Sequence, residues 1–334
     1  MNESAADFKA RLIRRTGLSD SAITAAWPDW WSDAAEGSPA AQAELRFSLA
    51  RKLGLDARSL LGEDQPRFIW NDSTRFKGFS GDPDAERPVI ASFGTALTRM
   101  LLQATPAPDI EPAAKAAELR QMMLAARPNV GLVELMMAAW GLGIPVIHLR
   151  VYPLAAKRMS AMSVRVGNRF AILMARDATY PAPLAFHLAH ELGHIFLHHL
   201  ADGHAIVDLG LMEEVTGGND PEEQAADAFA LELLTGRPSL TFQIEGEGRG
   251  ARQLATEAQR VGATERIEPG TVALAFGYAT KRWDTANAAL GHIYSQPYDA
   301  WRAINQVAMR HLQWDALPDE SESFLRAVMG ALDG

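Results

Sequence analysis

Residues 182–200 read APLAFHLAHELGHIFLHHL, and the reading of this stretch decides what the rest of the chain is for. It contains His190-Glu191-Leu192-Gly193-His194, two histidines four residues apart with a glutamate after the first. Four residues advance a helix by about one turn, so His190 and His194 share a face and can ligate one metal ion. Glu191 projects to the side, within reach of a water on that ion. The spacing alone is weakly specific, but its context fits. Leu184, Phe186, Leu188, Leu192, Ile195 and Leu197 give the helix apolar faces to bury, and Pro181 and Pro183 suit its start. Gly193 costs about 1 kcal/mol in a helix interior, which implies a close approach of backbone or substrate there. The bland reading, two ordinary core or surface histidines, is the weaker one.

Two imidazoles need a third protein ligand. Residues 222–234, EEQAADAFALELL, form a second amphipathic helical pattern. Glu223 and Asp227 lie four apart on one face. Glu223 can supply a carboxylate ligand, in preference to Glu222, because it keeps register with Ala226, Phe229 and Ala230. Asp227, one turn on, can accept the free N–H of a ligating histidine and fix its tautomer. The alternative is a solvated acidic face on a surface helix. The expected ion is zinc (Zn2+), which suits two imidazoles and a carboxylate and leaves a fourth position open.

Together the two stretches resemble the ImmA/IrrE family of metallo-endopeptidases, HExxH zinc peptidases of gluzincin-like design. The signature of that family is F-x-x-A-H-E-L-G-H followed, about 30 residues later, by E-x-x-A-N-x-F-A-x-x-L-L. Phe186, Ala189, His190, Glu191, Leu192, Gly193 and His194 match the first part. Glu223, Ala226, Phe229, Ala230, Leu233 and Leu234 match the second, with Glu223 29 residues after His194. Asp227 stands where the family usually has asparagine, and the ending L-L-T-G-R-P departs from the usual L-L-M-P. The resemblance covers residues 114–240 and continues weakly into 266–290. It implies a zinc endopeptidase with His190, His194 and Glu223 as ligands and Glu191 as general base. The implied substrate is a specific regulatory protein such as a helix-turn-helix repressor, with roles in transcription regulation or stress response. A second expectation is a toxin–antitoxin or mobile-element regulator that binds metal or a signal without proteolysis.

Upstream of the histidine stretch, residues 114–142 read as helical with a break at Arg127–Pro128. Residues 144–152, 161–166 and 169–174 read as strands, the last two joined by a turn at Gly167–Asn168. The expected fold class is α+β, a small, mostly antiparallel sheet packed against the histidine helix, with helical regions on either side. The expected organisation is an N-terminal helical region (1–75), a linker with a bridging helix (76–113), a metallopeptidase domain (114–240) and a C-terminal helical region (241–334). Residues 62–90, rich in Gly, Pro, Asp and Ser, read as a linker or long loop. Leu45, Leu49 and Leu53 make one apolar helix face, faintly like a piece of a helix-turn-helix. Residues 1–60 carry 8 basic and 8 acidic side chains, so a packing unit is preferred to a DNA reader. Trp27, Trp30 and Trp31 cluster around Pro28, as a core or an anchor between regions.

The chain has 334 residues, no cysteine and a net charge of −9. Disulfides, Cys–zinc sites, iron–sulfur clusters and thiol catalysis are therefore excluded, and nucleic acid is not an expected ligand. No apolar run reaches the ~18 residues of a membrane span, and the polar start is no secretory signal, so a cytoplasmic protein is expected. Residues 183–234 hold ten acidic side chains and no Lys or Arg. That pattern suits either a cation-holding cleft that attracts basic polypeptide or a solvated loop. Of the other histidines, His187 and His198 are expected in packing or supporting roles, His199 and His204 at the surface or in loops, and His148 in a structural place on a strand. His292 has no assigned position relative to the site, and no residue is assigned to oxyanion stabilisation.

Overall fold

The computed structural model describes residues 3–62, 65–70, 74–77, 83–107, 115–156, 159–208, 220–239, 250–297 and 299–330. Five helices come first: α1 (Ala5–Thr16), α2 (Asp20–Ala26), α3 (Asp33–Glu36), α4 (Pro39–Leu53) and α5 (Ala57–Leu61). Strand β1 (Thr74–Lys77), helices α6 (Pro83–Gln103), α7 (Ala116–Ala126) and α8 (Leu132–Gly141), and strands β2 (Val146–His148), β3 (Ala161–Val166) and β4 (Arg169–Met174) follow. Then come α9 (Pro181–Phe196), β5 (Ala205–Asp208) and α10 (Pro221–Thr235). The chain ends in α11 (Ala251–Glu265), α12 (Pro269–Thr280), α13 (Trp283–Ile293), α14 (Ala300–His311) and α15 (Asp319–Val328). Among the described residues, no helix is long and apolar enough to cross a membrane.

The fold is the expected α+β, and its sheet is mixed, with antiparallel pairing at the centre and parallel pairing at both edges. The strand order is β1-β5-β3-β4-β2. β3 pairs antiparallel with β4 and β5, whereas β2 runs parallel to β4 and β1 parallel to β5. The antiparallel expectation came from the β3–β4 hairpin, whose two-residue turn places Gly167 at φ +64°. The parallel pairings join strands distant in sequence, and β1 and β5 lie within stretches that read as loops. Of the strand expected over 144–152, only Val146–His148 is paired as strand. Asn305 of α14 covers that edge: its Oδ1 accepts from the His148 N–H at 2.7 Å, and its Nδ2 donates to the His148 carbonyl at 2.8 Å and the Met329 carbonyl at 2.7 Å. The exposed side of an edge strand is thus satisfied without another strand.

Successive residues of β3 and β4 point to opposite faces, and both faces are covered, so these strands read as near-continuous apolar runs. Met162, Val164, Ala171 and Leu173 join a core with the N-terminal helices, α6 and α15. Leu45, Leu49 and Leu53 are buried in that same core, which is the packing role expected of them. Ala161, Phe170, Ile172 and Met174 join a second core with α7, α8, α9 and α10. A third core lies among α11, α12 and α13 and reaches Ala182 at the start of α9.

Local chemistry sets the two helices that matter most. Pro181 opens α9 at its first position, where no N–H is needed, and Pro183 falls in the same turn. Asp220 caps α10 by accepting from the Glu222 N–H at 2.9 Å, and Gly236 ends it at φ +82°. The buried Arg120 guanidinium donates to the carbonyls of Leu233, Leu234 and Arg266 at 3.1, 2.7 and 2.8 Å, which fixes the C-terminal end of α10.

Candidate metal centre

α9 and α10 lie side by side, with Phe196 and Phe229 stacked at 5.7 Å between ring centres. Gly193 faces Ala226, so the close approach implied by a helical glycine is to the α10 backbone. The approach brings Glu223 onto the two histidines. Glu223 Oε1 is 3.0 Å from His194 Nε2, Glu223 Oε2 is 3.4 Å from His190 Nε2, and the two Nε2 atoms are 3.1 Å apart. One donor atom from each of the three residues falls within 4.8 Å of the others, and both histidines are buried while Glu223 is half-buried. Among the described residues no other group of three such side chains converges in this way. Two imidazoles and a carboxylate with their donor atoms turned to one point could hold a metal ion.

The nitrogens facing away are also engaged. Asp227 Oδ1 is 2.8 Å from His190 Nδ1. Burial disfavours the charged form of His190, but hydrogen bonds to Asp227 and Glu223 and the charges of Asp227 and Glu191 outweigh it. The ring's pKa is raised well above the ordinary histidine value. His194 Nδ1 lies 2.9 Å from His199 Nδ1. His199 lies in the loop after α9, the place expected of it, and its ring meets that of His194. The reason is local: His198 adopts φ +58°, a left-handed conformation that turns the chain back over the end of α9.

Glu191 is fully buried, and it does not belong to the converging group. Its carboxylate accepts a hydrogen bond from the Ser163 hydroxyl. Ser163 lies on β3, the central strand, in a run whose neighbours are Met162 and Val164. The sequence gives no sign of its role, since a serine inside a strand reads as an ordinary polar position. Tyr278 of α12 is a second residue missed: burial, and then the Asp227 charge, raise its phenol pKa, so it stands within electrostatic reach of the centre.

The remaining histidines stay outside the group. His187 is buried against Phe186, ring centres 6.1 Å apart, and His198 is exposed. His204 Nδ1 lies 3.1 Å from the Asp202 carbonyl. His148 is buried at the sheet edge with Nδ1 and Nε2 facing the carbonyls of Leu149 and Arg176, the structural place expected of it. His292 lies exposed on α13. Glu222 is half-buried at the start of α10 and is not among the converging donors. No protein-family model, no curated protein and no solved structure matches the chain.

Proposed function

We propose that the chain is a zinc-dependent endopeptidase. The observation that carries the reading is the convergence of His190, His194 and Glu223 on one point, beside a buried glutamate, Glu191, that the converging group leaves aside. A structural cluster has no need of that division between three donors and one separate carboxylate. The donor set suits zinc better than hard cations, which prefer all-oxygen cages. Zinc, when bound, supplies Lewis acidity and lowers the pKa of a bound water toward about 7.

The other roles belong to the chain. Glu191 takes the proton from the attacking water and passes it to the leaving amine. Ser163 donates to the Glu191 carboxylate and so fixes its orientation. Asp227 holds His190 in the tautomer with its proton on Nδ1, which leaves Nε2 free to ligate. A regulatory protein such as a repressor as substrate, and a cytoplasmic location, rest on the motif resemblance and on composition.

The test has two arms. Protein purified from zinc-supplemented medium should carry about one zinc per chain, and His190→Ala or His194→Ala should remove it. Glu191→Gln should keep the zinc and the fold yet lose cleavage of a peptide library read by mass spectrometry. Identical product patterns from wild type and Glu191→Gln would overturn the peptidase reading. Absence of zinc from wild type would overturn the metal.

A further inference from the structure

The two histidines of the centre are supported by different chemistry. His190 has a carboxylate behind it, and His194 has a second imidazole, Nδ1 to Nδ1 at 2.9 Å with the rings inclined at 62°. We propose that His199 is a positioning residue, which accepts the Nδ1 proton of His194 and thereby holds the His194 ring with Nε2 aimed at the metal. The proposal rests on the metal-centre reading above.

The hydrogen count gives the direction. Two Nδ1 atoms at this distance share one proton, so one ring donates and the other accepts. His194 Nε2 is the atom turned toward His190 and Glu223, and its lone pair is the one a metal takes. A neutral His194 then carries its only proton on Nδ1 and is the donor. His199 must present a bare Nδ1 and carry its own proton on Nε2. His199 is thus needed as a neutral ring in one tautomer, which a phenyl ring of similar shape cannot replace.

The backbone is arranged to deliver that ring. The Leu197 N–H donates to the Gly193 carbonyl at 2.9 Å, the His198 N–H to the Ile195 carbonyl at 3.1 Å, and the His199 N–H to the His194 carbonyl at 3.0 Å. The helix closes in this tight turn, with the left-handed residue at His198 rather than at a glycine. His199 is bonded to His194 through both its backbone and its ring, so its position is set by the residue it supports. A neutral imidazole is a weaker acceptor than a carboxylate. Its removal should therefore cost less than the removal of Asp227.

The experiment compares zinc affinity, by chelator competition, for wild type, His199→Phe, His199→Asn and Asp227→Ala, with circular dichroism of each metal-free protein to check folding. Asparagine places an amide oxygen near the position of Nδ1 and can accept the same proton. His199→Phe should bind zinc about 10-fold more weakly, at the low end for lost supporting partners. His199→Asn should stay within about 3-fold of wild type. Wild-type affinity in His199→Phe would overturn the proposal, and so would equal losses in both His199 variants. If His199→Phe does not fold, nitrogen-15 spectra of the zinc-loaded wild type decide. The proposal requires the proton on Nδ1 of His194 and a bare Nδ1 on His199, and the reverse arrangement overturns it. Wild-type protein that takes up no zinc would remove the metal reading itself, an outcome visible before any variant is compared.

Discussion

A β-carbon at Gly193 of α9 would lie 3.1 Å from both the Cα and the carbonyl oxygen of Ala226 on α10, and 3.3 Å from the Phe229 β-carbon. The first two are backbone atoms, which cannot swing aside as a side chain can. The helix pair that joins Glu223 to the two histidines therefore depends on this missing methyl. Gly193→Ala gains about 1 kcal/mol of helix propensity. It loses about 1–3 kcal/mol to overpacking. The expected net result is a protein that is less stable, or at best unchanged, in urea, with zinc affinity reduced about 10-fold as α10 shifts. Unchanged zinc affinity would show that the centre tolerates movement of α10.

Asp227 stands behind His190 at 2.8 Å. Asp227→Ala should lower metal affinity ~10–100-fold, the usual cost of losing such a partner. Asp227→Asn should be milder, because the amide oxygen can still accept the histidine proton. Chelator competition on the two variants checks the order. Equal, wild-type affinities in both would show that the carboxylate does not support the metal ligand.

Ser163→Ala separates the base from the ligands. The hydroxyl donates to Glu191 and not to the converging donors, so the variant should keep zinc uptake unchanged. The turnover of any peptide the wild type cleaves should fall about 10-fold, from the loss of a hydrogen bond to a charged group worth ~1.5 kcal/mol. The loss is expected in kcat with KM little changed. A zinc-depleted variant would instead place Ser163 in the support of the metal site.

How much of this was legible varies residue by residue, for physical reasons. His190 and His194 on α9, and Glu223 and Asp227 on α10, are each four apart on a helix, where spacing in sequence fixes a shared face, so each pair could be read in advance. Ser163 lies on a strand, and what faces it depends on which helix covers β3, a long-range matter. His199 is placed by a left-handed turn at His198 that no glycine marks. β1 and β5 are four residues each, too short for an alternation to stand out, and their parallel pairing joins segments about 130 residues apart. The β3–β4 hairpin was legible because its turn is local.

Glu320 of α15 provides the pH test. Burial raises its carboxyl pKa, but hydrogen bonds from Ser48 and Trp30 and the Lys52 ammonium at 3.4 Å outweigh that and hold it below the usual value. A depressed folded pKa means that the contribution is full above the unfolded value, about 4.3, and is lost as pH falls through the folded one. Glu320→Gln should therefore be less stable than wild type by about 1–2 kcal/mol at pH 7. The gap should close as pH falls below about 4. Urea unfolding at several pH values measures it, and a gap independent of pH would refute the carboxylate's role.

Asn305 closes the sheet edge through one side chain that meets three buried backbone groups. Asn305→Ala leaves the His148 N–H, the His148 carbonyl and the Met329 carbonyl without that partner. At about 1–3 kcal/mol for each buried group left short, the loss is on the order of 3–5 kcal/mol after relaxation. Asn305→Asp keeps the acceptor for the His148 N–H but turns an oxygen, instead of the Nδ2 donor, toward two carbonyl oxygens. It should be at least as damaging. A lost hydrogen bond of ordinary surface kind would make both variants mild and similar. Unfolding midpoints in urea distinguish the two cases. β4 separates β2 from β3, which carries Ser163, so zinc uptake per folded molecule should stay at the wild-type level. Loss of zinc at full folding would mean instead that the edge and the metal centre are coupled through β4.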